Sequence, residues 1–272
     1  MEQERTQTSE APVGARSEPT PGQTLIVKVA DLPWRTLANG AKMKVLYHDA
    51  ESGAMTALFK FEPGMSTPLH EHTGVEQTFV LEGALVDDDG AVTAGNFVVR
   101  QAGSVHQARA PAGSLHLAFF SKPNRTLEGK PDAAFPHGTD LGEPGAGGTP
   151  RPAPNQSSFV KVTDMPWQQS KTPGIMMKPL YRDESVGAST FLIKFAAGAK
   201  TPLHEHTGLE QTFVLEGGLV DHDGAITAGN FVWRKAGSVH QATAPNGSLH
   251  LAVFAKPNRM LDGSEDDLAA PR

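Results

Sequence analysis

The chain has 272 residues, with 24 Lys+Arg, 30 Asp+Glu, 11 His and no Cys, and a formal net charge of −6. That length accommodates two domains, and the acidic balance argues against nucleic acid, whose phosphates call for a basic face. The absence of cysteine excludes disulfides, Cys-ligated zinc, iron–sulfur clusters and thiol nucleophiles together. No apolar run approaches the ~20 residues that span a bilayer. The N-terminus, MEQERTQTSE, lacks the apolar core of a secretion signal, so a cytoplasmic location is expected.

In chain order, residues 1–23 carry Pro and Gly but no hydrophobic period and read as a disordered tail. A first domain is expected over 24–129. Within it Ala54–Phe61 (AMTALFKF), Gln77–Leu81 (QTFVL), Asn96–Val99 (NFVV) and Leu115–Phe120 (LHLAFF) are short β-forming runs bounded by Gly-containing turns. Strands at this spacing predict a sandwich or barrel. The run over 76–82 is apolar on both faces, since Val80 alternates with Phe79 and Leu81, so something must cover its outside. Residues 130–157 have the Pro/Gly-rich composition of a linker. A second domain follows over 158–262, and 263–272 read as a frayed, disordered tail.

The two domains are copies. Thr67–Arg125 aligns without a gap on Thr201–Arg259 at an offset of 134, and 49 of the 59 aligned pairs are identical. Upstream, LIVKVADLPW matches SFVKVTDMPW at an offset of 133, so one residue was gained or lost between. Two copies are too few for a solenoid. Each copy is the natural cover for the other's outer face, and no stretch has a helical period.

The duplication also isolates the chemistry. Copy one places His70 and His72 two apart, Glu76 four further on, and His106 later; copy two repeats this as His204, His206, Glu210 and His240. On an extended segment residues two apart share a face. Thr73-Gly74 permits a kink that returns Glu76 to that face, and Gly103 permits close backbone approach near His106. Three imidazoles and one carboxylate form a donor set for a divalent transition metal, with open positions where coordination exceeds four. A polar rim of histidines would not persist in both copies while Asp88/His222 and Arg109/Thr243 diverged. Two metal ions per chain are therefore expected.

Other repeated residues take smaller roles. His116 and His250 are candidates for lining a substrate pocket, and Arg100 and Arg234 for an ion pair or a substrate anion. Gln77 and Gln211 point away from the neighbouring Glu by strand alternation, and Trp34 and Trp167 read as core or interdomain anchors. Trp233 in place of Val99 is expected to narrow or cover one site, as are the changes Gln101/Lys235 and Ser66/Lys200. Asp87-Asp88-Asp89-Gly90 lacks the spacing of a calcium loop and reads as a hairpin turn.

The blocks HEHTGVEQTFVLEG and GSVHQA, repeated as HEHTGLEQTFVLEG and GSVHQA, resemble the two motifs of the cupin superfamily, and the whole chain resembles a bicupin. The resemblance implies an all-β fold of two tandem double-stranded β-helix (jelly-roll) barrels. It carries the metal ligands onto His70, His72, Glu76 and His106, and onto His204, His206, Glu210 and His240. Where the family usually has Pro in its second motif this chain has Gln101 or Lys235, a turn position that is not a ligand. Two groups look most similar: the acetylacetone-cleaving type of dioxygenase and the zinc-binding cupin domain of anti-sigma factors. The first implies a non-haem Fe(II) dioxygenase that cleaves a small β-diketone or hydroxyketone with O2, with Glu76 and Glu210 as candidate bases. The second implies a non-catalytic zinc-binding sensor, and a metal-dependent isomerase or hydrolase is a third reading. Imidazole suits Fe, Ni, Cu and Zn, and the carboxylate also admits Mn, with Fe(II) favoured by the dioxygenase reading. The expected partners are a small-molecule substrate and O2, with no nucleic acid or membrane, in a monomer or homo-oligomer.

Overall fold

The computed structural model describes residues 22–127 and 157–266. The predicted tails and linker fall mostly outside these residues, and the parts inside are paired. Gly22 donates its N–H to the Ala236 carbonyl at 3.0 Å, and Gln23 accepts from Lys235 N–H at 3.1 Å. Ser157 opens a strand. These ends are polar in composition yet ordered, because strand pairing uses backbone atoms and places little demand on the side chains.

Each copy is built from a large and a small antiparallel sheet, as the all-β reading anticipates. In the first, the strands Ser157–Val160, Phe97–Arg100, Glu76–Val86, Ser114–Phe120, Met55–Phe61, Lys42–His48 and Arg35–Thr36 lie side by side. The small sheet is Val105–His106, His70–His72 and Asn124–Thr126. In the second, the order is Thr24–Val27, Phe231–Arg234, Glu210–Asp221, Ser248–Phe254, Ala188–Phe195, Ile175–Asp183 and Gln168–Gln169, with Val239–His240, His204–His206 and Asn258–Met260 as the small sheet. Helix among the described residues is limited to the turns Val29–Asp31 and Val162–Asp164, and no helix there is long and apolar enough to cross a membrane.

The first strand of each copy is exchanged. Thr24–Val27 pairs with Phe231–Arg234 of the second copy, and Ser157–Val160 pairs with Phe97–Arg100 of the first. Each copy thereby closes an edge that the other would leave open.

Three apolar clusters result. Two fill the barrels: one contains Met43, Phe59, Phe61, Val80 and Phe120, the other Ile175, Ile193, Phe195, Val214 and Phe254. The third lies between the copies and draws on both, with Phe79, Val99, Leu117 and Phe119 from one and Phe213, Trp233 and Leu251 from the other. This cover explains why Glu76–Val86 is apolar on both faces: Val80 enters its own barrel and Phe79 the shared layer. Two reciprocal hydrogen bonds cross that layer, Thr56 Oγ1 to Gln211 and Thr190 Oγ1 to Gln77, so the glutamines do turn away from the neighbouring Glu.

Two glycines have the opposite reasons to those expected. Gly103 has open space where a Cβ would stand but a φ of +88°, so its turn and not crowding demands glycine. Gly74 has no such φ, yet a Cβ there would come within 2.4 Å of Ser121 Oγ.

Candidate metal centres

His70 and His72 stand on the middle strand of the small sheet, with His106 directly opposite His70 on the next strand. Glu76 begins a strand of the large sheet, so the site lies where the two sheets meet. Donor atoms of His70, His72, Glu76 and His106 all lie within 4.8 Å of one another, and all four residues are buried. His204, His206 and His240 converge in the same way. Glu210 sits beside them, its Oε2 3.0 Å from His206 Nε2 and 4.0 Å from His240 Nε2. The structure thus brings together both predicted quartets, the second more loosely at its carboxylate.

The surrounding atoms fix how the rings face. His70 Nδ1 is 2.9 Å from the Pro68 carbonyl and His204 Nδ1 is 2.9 Å from that of Pro202, so each Nδ1 donates and each Nε2 is left with its lone pair. His106 Nδ1 donates to Asp87 Oδ2 at 2.9 Å, and His240 Nδ1 to Asp221 Oδ2 at 2.8 Å. His206 Nδ1 is 2.9 Å from Asn258 Oδ1, and its Nε2 is 3.0 Å from His240 Nε2. Nitrogen lone pairs converging on one point repel unless a cation lies between them. In the first centre His72 Nδ1 lies 3.0 Å from Glu76 Oε2, while His106 Nε2 is buried without a hydrogen-bond partner. A buried, unpartnered imidazole nitrogen beside a carboxylate and two further rings fits a bound divalent metal.

Protonation agrees. Burial pushes His70 down to about 3, with His106 and His72 adding to the effect, and pushes His72 and His204 down to about 4, so the rings are in the neutral form that ligates. Burial acts to raise Glu76, but His72 and Arg100 outweigh it and bring the carboxyl to about 2. Glu210 is likewise held well below the usual range by His206 and Arg234 against the effect of burial.

Arg100 and Arg234 are buried ion-pair partners and are not available to a substrate anion. Arg100 Nη2 is 2.7 Å from Asp87 and its Nη1 3.7 Å from Glu76; Arg234 reaches Asp221 at 2.6 Å and Glu210 at 3.0 Å. Thr78 and Thr212 donate to Glu76 and Glu210 at 2.5 and 2.9 Å. Sequence reasoning missed Asp87 and Asp221 by assigning the acidic run to a turn. The signal was present: the aspartate recurs at the 134 offset while its neighbour Asp88 became His222. Asn258 was missed as well.

His116 and His250 do not share one setting. His116 is stacked on Phe59, with ring centroids 5.4 Å apart, whereas His250 lines a pocket of ≈ 90 Å³ that also touches His204, Glu210 and His240. Trp233 does not narrow a site. Neighbours along a strand face opposite ways, so Arg234 points into the barrel and Trp233 into the shared layer, edge-on to Tyr47 with ring centroids 5.4 Å apart. Position 101/235 also lies at the junction: Lys235 N–H pairs with Gln23, and Gln101 bonds Tyr181.

Two tandem jelly-roll barrels, each with an imidazole–carboxylate cluster inside it, define a bicupin with two possible metal centres. The description "ChrR Cupin-like domain" matches the chain twice, over residues 22–124 and 155–258, and the chain belongs to that family. A segment of 72 residues is 33% identical to the anti-sigma-E factor ChrR of Cereibacter sphaeroides, covering 26% of this chain and 33% of that protein. The match thus spans about a third of that relative's length. Among solved structures, a candidate dioxygenase of Nostoc punctiforme PCC 73102 superposes with a TM-score of 0.68 at 16% identity, over 94% of this chain and 90% of that one. A mutant of Bacillus subtilis oxalate decarboxylase gives 0.57 at 14% identity, over 90% and 80%. At these identities the two likenesses concern the fold.

Proposed function

We propose that the chain is a metal-dependent enzyme with a centre in each barrel, favouring Fe(II), that cleaves a small β-diketone or hydroxyketone with O2. The observation that carries this reading is the apolar pocket beside His204, Glu210 and His240, which gives a small carbonyl compound room next to the donors. A bound divalent metal would supply Lewis acidity toward a carbonyl oxygen and a redox centre for O2. The chain's own residues present three imidazoles and an ionised carboxylate, and the apolar wall keeps bulk water from a reactive substrate. Glu76 and Glu210 serve better as anionic ligands than as bases, because Arg100 and Arg234 reduce their affinity for a proton. His250, on the pocket wall and kept neutral by burial, is placed to hydrogen-bond a substrate oxygen.

Family membership and the anti-sigma-factor relative support a second reading, a non-catalytic zinc-binding regulatory module. One experiment separates the two. Elemental analysis of anaerobically purified protein is followed by oxygen uptake with added Fe(II) and a panel of β-diketones and hydroxyketones. Iron near two per chain with substrate-dependent uptake supports the oxygenase. Tightly held zinc and no uptake after exchange for Fe(II) overturns it in favour of the regulatory module.

A further inference from the structure

The two barrels set the same donors behind different walls. Ile193 and Ala199 of the C-terminal barrel stand where the N-terminal barrel has Phe59 and Met65, and Ser170 stands where it has Leu37. Phe59 is buried, stacked on His116 and edge-on to Phe61 and Phe120, with centroids at 6.4 and 6.2 Å. Leu37 and Met65 pack against the same cluster. Met43, paired with Phe59, is 0% exposed, whereas its counterpart Met177 is part-exposed and lines the pocket. One exchange runs the other way, Ala41 for Ile175. The turn at the barrel mouth, Leu37 to Ala41, is one residue longer in the second copy, Ser170 to Ile175, and it is here that the repeat offset changes from 133 to 134.

Charge around the C-terminal pocket narrows what enters it. Arg234, the permanent cation in the wall, already carries Glu210 and Asp221. The exposed side of the lining includes Glu265, which pairs with Lys171, and Asp266, which accepts from Asn258 N–H at 2.8 Å. A dicarboxylate entering here would set its far end against Ile193, Phe195 and the neutral His250, which can offer one hydrogen bond but no charge. The one guanidinium of the lining is already paired, so the lost hydration is poorly repaid.

We infer that the C-terminal barrel is the site that takes a ligand, that the ligand is a small neutral molecule with an apolar body, and that the N-terminal centre is a packed, structural one. This deepens the enzymatic reading above, but its test is independent of turnover. The sequence supplies the probes. All four isoleucines, Ile26, Ile175, Ile193 and Ile226, belong to or pack on the C-terminal core, while Met43 and Met65 report the N-terminal one.

The full chain, labelled with 13C at Ile δ1 and Met ε methyls and loaded with zinc, is titrated with 2-butanone, 2,4-pentanedione and oxalate, and stoichiometry is read by calorimetry. Both ketones are expected to shift Ile175, Ile193 and Met177 at one molecule per chain and to leave Met43 and Met65 in place, with oxalate at least tenfold weaker. The double variant Ile193→Phe/Ala199→Met should weaken ketone binding at least tenfold. Should it fail to fold, Phe59→Ile/Met65→Ala should instead add a second binding event that moves Met43. Parallel titration of Met43 or Met65 in the unaltered chain, oxalate binding as tight as the ketones, or no shift in the C-terminal methyls would overturn the inference. Ketone binding at the predicted methyls without oxygen uptake would overturn only the cleavage reaction.

Discussion

In the N-terminal barrel Arg100 stands 3.7 Å from Glu76 and the ring of Phe59 lies on His116; in the C-terminal barrel Arg234 closes to 3.0 Å from Glu210, and Ile193 leaves space beside His250. The donors, the arginine and the aspartate that orients the third histidine are the same residues in both. Apart from His70 and His204, which bond backbone carbonyls, each of these is buried and tied to another of the set, so a change strands a partner in a medium of low dielectric. The wall is free of that constraint. Apolar side chains exchange for one another at small cost if the volume is accommodated, so duplication let one interior fill while the other stayed open.

The largest test of this equivalence is removal of a donor. His70→Ala and His204→Ala should each take the metal content from about two to about one per chain, as read by elemental analysis; two metals retained in either variant would refute the ligand assignment. Acidification should act on both barrels alike. His116 and His250 are pushed down to about 4 by burial, while an unfolded imidazole titrates near 6.5. The folded chain stays neutral there as the unfolded chain takes up protons. Stability is therefore whole above pH 6.5 and is lost as pH falls toward 4, on the order of 3 kcal/mol per histidine. Urea midpoints at pH 7, 5.5 and 4 should fall in that order.

Two smaller effects sharpen the contrast between layers and sites. Trp233→Val gives the second copy the residue of the first and should cost about 2–4 kcal/mol through a cavity in the shared layer. Metal content should not change; loss of metal at constant stability would return Trp233 to the site. Asp221→Asn should weaken only the C-terminal centre, by about 10–100-fold in chelator competition, because His240 loses the acceptor that sets its tautomer.

Much of this arrangement is legible in the residues. Strand periods, the turn glycines and the recurring histidines specify two β-barrels with a quartet in each, since all of these are local or repeat at one fixed offset. Glu76 is placed correctly although the reason assigned to Gly74 is not. The strand exchange was hidden because pairing of Thr24–Val27 with Phe231–Arg234 is written in backbone atoms about 200 residues apart. Trp233 misled because size alone does not say which way a side chain faces; counting alternation from Arg234 would have placed it outward. Asp87 was obscured by two neighbouring aspartates: recurrence at the 134 offset sets it apart from Asp88 but not from Asp89, which recurs as Asp223.

The exchanged strands also bear on how the chain is made. As it leaves the ribosome the N-terminal barrel has neither Ser157–Val160 along its open edge nor the second copy over Phe79, Val99 and Phe119. It cannot be finished when its own residues are complete. Thr24–Val27, synthesised first, has no partner until Phe231–Arg234 appears near the end. The two halves thus complete each other, and either one expressed alone would expose both an unpaired strand edge and an apolar face.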